Sequence, residues 1–393
     1  MRARIGLFVL VYATACSSSN PNGQMDGGNQ CTVIDGQCLP TPIDSTTGQP
    51  AIAKRTQCGN VTEYCDSTGM TAPNLSCITT PKVPPAGPAT VTLTGFVHVF
   101  SHGPDSKGVS IAVYDAAQLM NSNPSTVTPL ATIGSVTLDP TTQRACDQDP
   151  SKGCSIPSMG CTLPVCPDGL NGHPDNMMYC RDDGGGQSTC AARLRWEARY
   201  SIANVPTNKQ LVIKTSGVNF AADQTWATTF TWNVFLSTGD APCTSPSQTD
   251  CIDTTAGTYQ LNVSALSQSD YVNIPTVAGL SGGLPMGQGA IAGEIHDCDN
   301  VRVGGLSVST APEGSRFTYF NGNPLMTLPD LTRLATDQLG LYAALSVTPG
   351  HATVVAGGLT QAGGTLTSFG TFDCNVFADS VAIVNVNGGK PHQ

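Results

Sequence analysis

Several groups of residues in this 393-residue chain have types and spacings that could do chemistry. Gly279-Leu280-Ser281-Gly282-Gly283 matches G-x-S-x-G, the turn that presents a nucleophilic serine. Such an elbow needs a buried strand before the serine and a helix after it. This match lies in a glycine-rich connector, so a serine hydrolase is not expected. His98 and His102 could share a strand face and hold a metal ion. Neither sits in the H-E-x-x-H pattern of a zinc peptidase, and they read as a strand residue and a turn residue. Asp147-Gln148-Asp149 and Asp297-Cys298-Asp299 have the alternating acids of a calcium loop. The first lacks the glycine and the bidentate glutamate that such a loop requires. Both read as Asx-type turns, as do Asp182 and Asp183 before three glycines. Trp226, Phe230 and Trp232 could stack on sugar rings. Their period-two spacing with Val234 and Leu236 is also what a sandwich core needs, and core is the favoured reading. No catalytic residue, metal site or cofactor emerges from this survey.

Composition narrows the class of protein. Only 12% of residues are charged, while Gly and Pro number 42 and 28. That mixture suits turn-rich β structure with few long helices. A formal net charge of −10 excludes nucleic acid as a partner, because no basic stripe exists to displace counterions. Sixteen cysteines place the chain in an oxidising compartment.

The N-terminus has the parts of an export signal. Arg2 and Arg4 precede an apolar run over residues 5–12, then the small residues Ala13, Thr14 and Ala15. Residues 1–15 are too short for a stable membrane anchor and read as a signal peptide. Cys16 follows, then Ser17-Ser18-Ser19. This arrangement resembles a bacterial lipobox, with Ala13 where leucine is usual. The resemblance implies that Cys16 is lipidated and holds the protein on a membrane. Ser17 then implies an outer-membrane lipoprotein of the cell envelope, facing the cell surface.

Residues 16–89 form a tether and a cysteine-rich segment. The tether, 17–30, is polar and rich in Gly and Asn. Cys31, Cys38, Cys58, Cys65 and Cys77 lie among few large apolar residues, so disulfides must staple this segment. Five is odd, so one of them is free or bridges to the following domain. No CxxC or paired histidine suggests a zinc ribbon. The proline-rich stretch 81–88 marks a boundary.

Residues 90–264 read as a first β-sandwich. Val91, Leu93, Val97 and Val99 alternate with polar and other residues, and Val109, Ile111 and Val113 do the same. Within it, residues 139–193 form an insertion holding six cysteines, read as a disulfide-held loop. Cys243 and Cys251 are expected to close a small hairpin loop. Residues 265–288 carry a short helix, announced by Ser and Asp near its start and Pro275 near its end, then a glycine-rich connector. Residues 289–388 read as a second β-sandwich. Cys298 and Cys374 are its only cysteines, so they are expected to pair.

The second sandwich carries a family resemblance. GAIAGEIHD, GGLSVST and TDQLGLYAALSVTPGHATVVA resemble the carboxypeptidase regulatory-like, transthyretin-like β-sandwich. The matching residues are Gly293, Gly305, Val308, Thr336, Asp337, Gly340, Tyr342, Pro349 and Gly350. A longer loop carrying Tyr319, Phe320, Asn321 and Gly322 departs from the pattern, as does His351-Ala352 after the Pro-Gly turn. Gly95, Val97, Val113, Tyr200 and Pro206 give a fainter echo in the first sandwich. The resemblance implies an accessory module, since the peptidase catalytic domain is missing.

The expected molecule is therefore all-β: two antiparallel sandwiches of transthyretin-like or Ig-like kind, with a disulfide-rich N-terminal segment and a cysteine-rich insertion. The expected function is non-catalytic. The sandwiches serve as spacer or interaction modules toward a cell-surface protein or polysaccharide, while the N-terminal lipid engages the membrane. The alternative is a carbohydrate-binding or adhesion protein using the 139–193 insertion or the Trp226/Trp232 face.

Overall fold

The computed structural model describes residues 31–55, 72–78, 86–100, 106–136, 179–182, 188–191, 198–219, 224–244, 249–322 and 327–387. The described chain is mostly strand. The N-terminal segment supplies β1 (Thr32–Ile34), β2 (Gln37–Leu39) and β3 (Lys54–Arg55). Then come β4 (Thr90–Val99), β5 (Val109–Asp115), a one-turn helix α1 (Ala116–Met120) and β6 (Ala131–Ile133). The insertion contributes a hairpin, β7 (Tyr179–Asp182) and β8 (Ser188–Ala191), which places Cys180 opposite Cys190 in register. Next are β9 (Arg199–Pro206), β10 (Gln210–Asn219), β11 (Gln224–Phe235), β12 (Cys251–Asp253), β13 (Thr258–Gln260) and β14 (Val263–Ser267). Helix α2 (Gln268–Val277) starts on Ser267, whose hydroxyl accepts from the Asp270 backbone N–H.

The remaining strands are β15 (Gly289–His296), β16 (Val303–Gly304), β17 (Leu306–Ala311), β18 (Arg316–Phe320) and β19 (Pro329–Asp330). They are followed by β20 (Leu341–Val347), β21 (Gly350–Leu359), β22 (Leu366–Val376), β23 (Val381–Val384) and β24 (Val386–Asn387).

Each sandwich has the same wiring. In the first, β4 pairs antiparallel with β9 and parallel with β13 and β14, while β10 joins β5 to β11. In the second, β15 pairs antiparallel with β20 and parallel with β23 and β24, while β21 joins β17 to β22. The parallel pairs depart from the purely antiparallel sheets that alternation suggested. They arise because the last strands of each unit return beside its first strand.

One contact recurs in both units. Gly95 faces Tyr200 across the sheet, and Gly293 faces Tyr342. A Cβ on Gly95 would lie 1.9 Å from the Leu261 carbonyl oxygen, and one on Gly293 would lie 2.0 Å from that of Val384. Only glycine permits that approach. The tyrosine hydroxyls donate to those same carbonyls, Tyr200 to Leu261 at 2.5 Å and Tyr342 to Val384 at 2.6 Å. The next residues match too: Asn262 accepts from the Phe96 N–H at 3.0 Å, and Asn385 from the Glu294 N–H at 3.1 Å. The faint sequence echo is a structural duplication.

The two units share a wall. Strand β11 lies antiparallel to β10 and also pairs in parallel with β23, Thr229 opposite Val381 through Trp232 opposite Val384. The sheet therefore continues across the connector at 265–288, where sequence reading places a boundary. Two register shifts in β11 make this joint possible. Each adds a residue to the strand and reverses which face the following side chains take. Trp226 and Val234 thus join the core of the first sandwich, while Phe230 and Trp232 enter that of the second. All three aromatics are 2% exposed, which removes the stacking platform proposed for the Trp226/Trp232 face. Period-two counting could not see the shifts.

The N-terminal segment belongs to the second sandwich. Strand β3 pairs with β16, and the Ala53 N–H donates to the Leu359 carbonyl at 2.7 Å. Leu39 and Ile34 pack where Gly357 leaves room; a Cβ there would lie 2.9 Å from a Leu39 methyl. Cys77 is bonded to Cys298, and Cys374 is a buried free thiol. The expected Cys298–Cys374 pair is thereby corrected. Cys298 sits in the turn after β15, facing the docked N-terminal segment, whereas Cys374 points from β22 into the core. Counting cysteines within a sequence-defined domain missed a partner 221 residues away. Cys31 bonds to Cys38, and Cys243 to Cys251.

Two outcomes check this arrangement. Tyr200→Phe and Tyr342→Phe each leave a buried carbonyl without its donor and should lower unfolding stability by about 1–3 kcal/mol in denaturant titrations. Gly293→Ala, which drives a methyl into the Val384 carbonyl, should be worse than either. The double change Cys77→Ser, Cys298→Ser should cost about 2–5 kcal/mol. In peptide mapping, Cys374 should escape alkylation in the native protein and react after unfolding; a Cys298–Cys374 crosslinked peptide would contradict the structure.

Candidate functional site

A cavity of about 470 Å³ lies between the two units. Its walls come from equivalent places in the duplicated sandwiches. His98 and Asn262 line it from the first, His296 and Asn385 from the second. Ala292, Leu341, Leu345, Val381 and Ile383 form an aliphatic wall on the outer face of the β23–β15–β20 sheet. Helix α2 and the connector add Tyr271, Ile274 and Leu284, and Phe100 meets Phe320 edge-on at 6.0 Å between ring centres. This size and mainly apolar lining are typical of a small-molecule site.

The polar end is built on β15. Residue alternation turns Glu294 and His296 toward the same face. Arg302, after the 297–300 turn, closes on Glu294 with Nε to Oε2 at 2.8 Å and a terminal nitrogen to Oε1 at 2.9 Å. His296 Nε2 lies 3.0 Å from Glu294 Oε2, and its Nδ1 lies 3.2 Å from the Asn300 carbonyl. Burial pushes the Glu294 carboxyl up, but Arg302 and His296 outweigh it and hold it at about 2. Both its oxygens are committed, so it stays a paired carboxylate at neutral pH. Asn387 donates to Asn300, and Asn300 donates to Asp250 at 3.3 Å. That chain of side chains ties the rim of the second unit to the first.

The inner wall is less complete. Thr231 Oγ1, Trp232 Nε1 and Asn233 Nδ2 are buried and have no hydrogen-bond partner in the protein. Their three residues follow one another on β11 and all line the cavity. Thr229, also on this wall, is satisfied by Thr215 at 2.5 Å.

The residues singled out from sequence are scattered. Ser281 is exposed in the turns after α2, with no strand leading into it. His98 reaches the cavity, while His102, residues 147–149, Asp183 and Cys16 lie outside the described residues. The side chain of Asp182 is likewise not described. Asp297 is fully buried, and its oxygens take the backbone N–H groups of Asn74, Asp299 and Val301 at 2.9–3.1 Å. Arg55 stands 2.9 Å away from it and 2.8 Å from Asp299. This turn is a docking point for the N-terminal segment. Tyr319 and Phe320, placed in a long loop by sequence, lie in β18 and are buried. Among the described residues no three His, Cys, Asp or Glu side chains gather as metal ligands.

Glu294 and Arg302 went unnoticed in sequence because eight positions separate them and neither sits in a motif. The available signal was Glu294 itself, a charge following a strand glycine where the first unit has Phe96. A second displaced carboxyl, Asp337, lies outside the cavity. Burial raises it to about 6 against the pull of Arg333 and backbone donors.

No family model and no curated protein matches the chain. Among solved structures, it is similar to the shaft pilin SpaA of Lactobacillus rhamnosus GG at 11% identity, over 75% of this chain and 97% of that one, with a TM-score of 0.18. The Bacillus anthracis TIE protein aligns at 11% identity over 75% of this chain and 33% of that one, with a TM-score of 0.15. Overlaps this loose carry no argument about function.

The pairing of Glu294 sets a pH dependence. Its stabilising contribution is complete above the unfolded value near 4.5 and is lost as pH falls through about 2. Denaturant unfolding at a series of pH values should show Glu294→Gln less stable than the natural protein at pH 5, by up to about 3 kcal/mol. The difference should shrink on acidification toward pH 2. A constant difference across that window would refute the ion-pair account.

Proposed function

We propose that this chain is an exported envelope protein that binds a ligand between its two sandwiches and performs no chemistry on it. The observation that carries this reading is the cavity with its committed charges. Glu294, Arg302 and His296 are spent on one another, leaving a rim suited to orientation rather than proton transfer. Three disulfides among the described residues support an oxidising location. Among those residues no helix is long and apolar enough to cross a membrane.

In this reading Cys16 carries the lipid, and the tether at 17–30 lifts the body from an outer membrane. Both sandwiches are of the carboxypeptidase regulatory-like kind. The Gly293–Tyr342 corner and the turn at Pro349-Gly350 support that assignment, since family-matching residues hold them.

Two measurements test the proposal. Mass spectrometry of the native N-terminus should find acylated Cys16, and Cys16→Ala should move the protein from the membrane to the soluble fraction. Thermal unfolding against a panel of glycans, peptides and amphiphiles should reveal at least one class that raises Tm, since a ligand specific to the native state stabilises it. No stabilisation by any class would sink the binding function.

A further inference from the structure

The geometry points to an uncharged amphiphile as the ligand of the cavity: an apolar chain or ring system carrying a hydroxyl, ester or amide head. This rests on the binding function just proposed and specifies its ligand class. The aliphatic wall of Ala292, Leu341, Leu345, Val381 and Ile383 offers an extended apolar surface. Removing such a surface from water together with an alkyl or ring body is the main favourable term.

The charges select the head. Asp250, Asp270 and Glu294 line the cavity against Arg302 as the one Lys or Arg among its lining residues. Arg302 is held by Glu294 in a two-pronged pair, so no cation awaits a carboxylate or phosphate head. Each of the three acids already accepts a hydrogen bond within the protein. Asp250 accepts from Asn300, Asp270 accepts from the Ser267 hydroxyl at 2.8 Å, and Glu294 is doubly engaged. The buried side-chain groups of the inner wall that lack a partner are neutral: the Thr231 hydroxyl, the Trp232 indole N–H and the Asn233 amide N–H group. Thr231 and Asn233 are short, half-buried side chains on either side of the buried Trp232. An acceptor oxygen on the ligand would relieve the cost of leaving them unpaired.

The test uses the exported chain with its disulfides intact. The probe is N-phenyl-1-naphthylamine, a neutral apolar fluorophore, followed by displacement below aggregation concentrations. The competitors are monolaurin, laurate and dodecyltrimethylammonium, which share a chain length and differ in head charge. Expected are saturable fluorescence enhancement and displacement by monolaurin at a concentration at least about tenfold lower than by either charged competitor. Ala292→Phe fills the cavity and should abolish the enhancement. Thr231→Val, which keeps the side-chain volume, should narrow the preference for monolaurin while leaving probe binding intact. Laurate or the ammonium compound competing as well as monolaurin would overturn the inference, as would enhancement undiminished in a folded Ala292→Phe protein. The head-group comparison stands on the natural protein even if that variant fails to fold. No saturable binding of the probe, while a glycan or peptide raises Tm, would overturn the ligand class and leave the binding function standing.

Discussion

The fold depends on a tyrosine hydroxyl reaching across a glycine to a backbone carbonyl. At Gly293 the neighbouring strand comes so close that no side chain fits, and Tyr342 covers the gap while donating to Val384. The carbonyl belongs to the last residue of β23, where the ladder to β15 is interrupted before β24, and would otherwise be buried without a partner. Strand glycine weakens a sheet through lost packing and gained chain entropy, and a cross-strand aromatic repairs this. The same construction at Gly95, Tyr200 and Leu261 anchors the first sandwich. The parallel return strands, and hence the walls of the cavity, follow from these two corners.

Two copies of one sandwich would ordinarily be two bodies joined by a linker. Here β11 prevents that. Its two register shifts give it a face in each core, and its free edge accepts β23. The N-terminal segment is absorbed in a similar way, by Cys77 bonding to Cys298 and by Arg55 beside Asp297. Once the copies are fixed side by side, their corresponding residues meet across a cavity. Divergence at one position of the repeat, Phe96 against Glu294, then supplies its polar end.

Much of the secondary structure was legible in the sequence, because alternation of the Val91–Val99 kind reports burial directly. Helix α2 was legible from Ser267, Asp270 and Pro275, and the Cys243–Cys251 loop from its short spacing. What escaped was anything set by approach between distant segments. The glycines at 95 and 293 looked like breaks in a pattern rather than places of contact. The Trp226, Phe230 and Trp232 alignment looked like one face because bulges leave no mark in composition. The Glu294–Arg302 pair and the unpaired Thr231 and Asn233 depend on strands brought together by the fold, and no local spacing encodes them.

The central claim is that both sandwiches are one body with a cavity between them. Scanning calorimetry of the natural chain beside Leu93→Ala, a core truncation confined to the first sandwich, tests it most directly. One body predicts a single transition that moves as a whole to lower temperature in the variant, with calorimetric and van't Hoff enthalpies in agreement. Two transitions, of which only one moves, would contradict it.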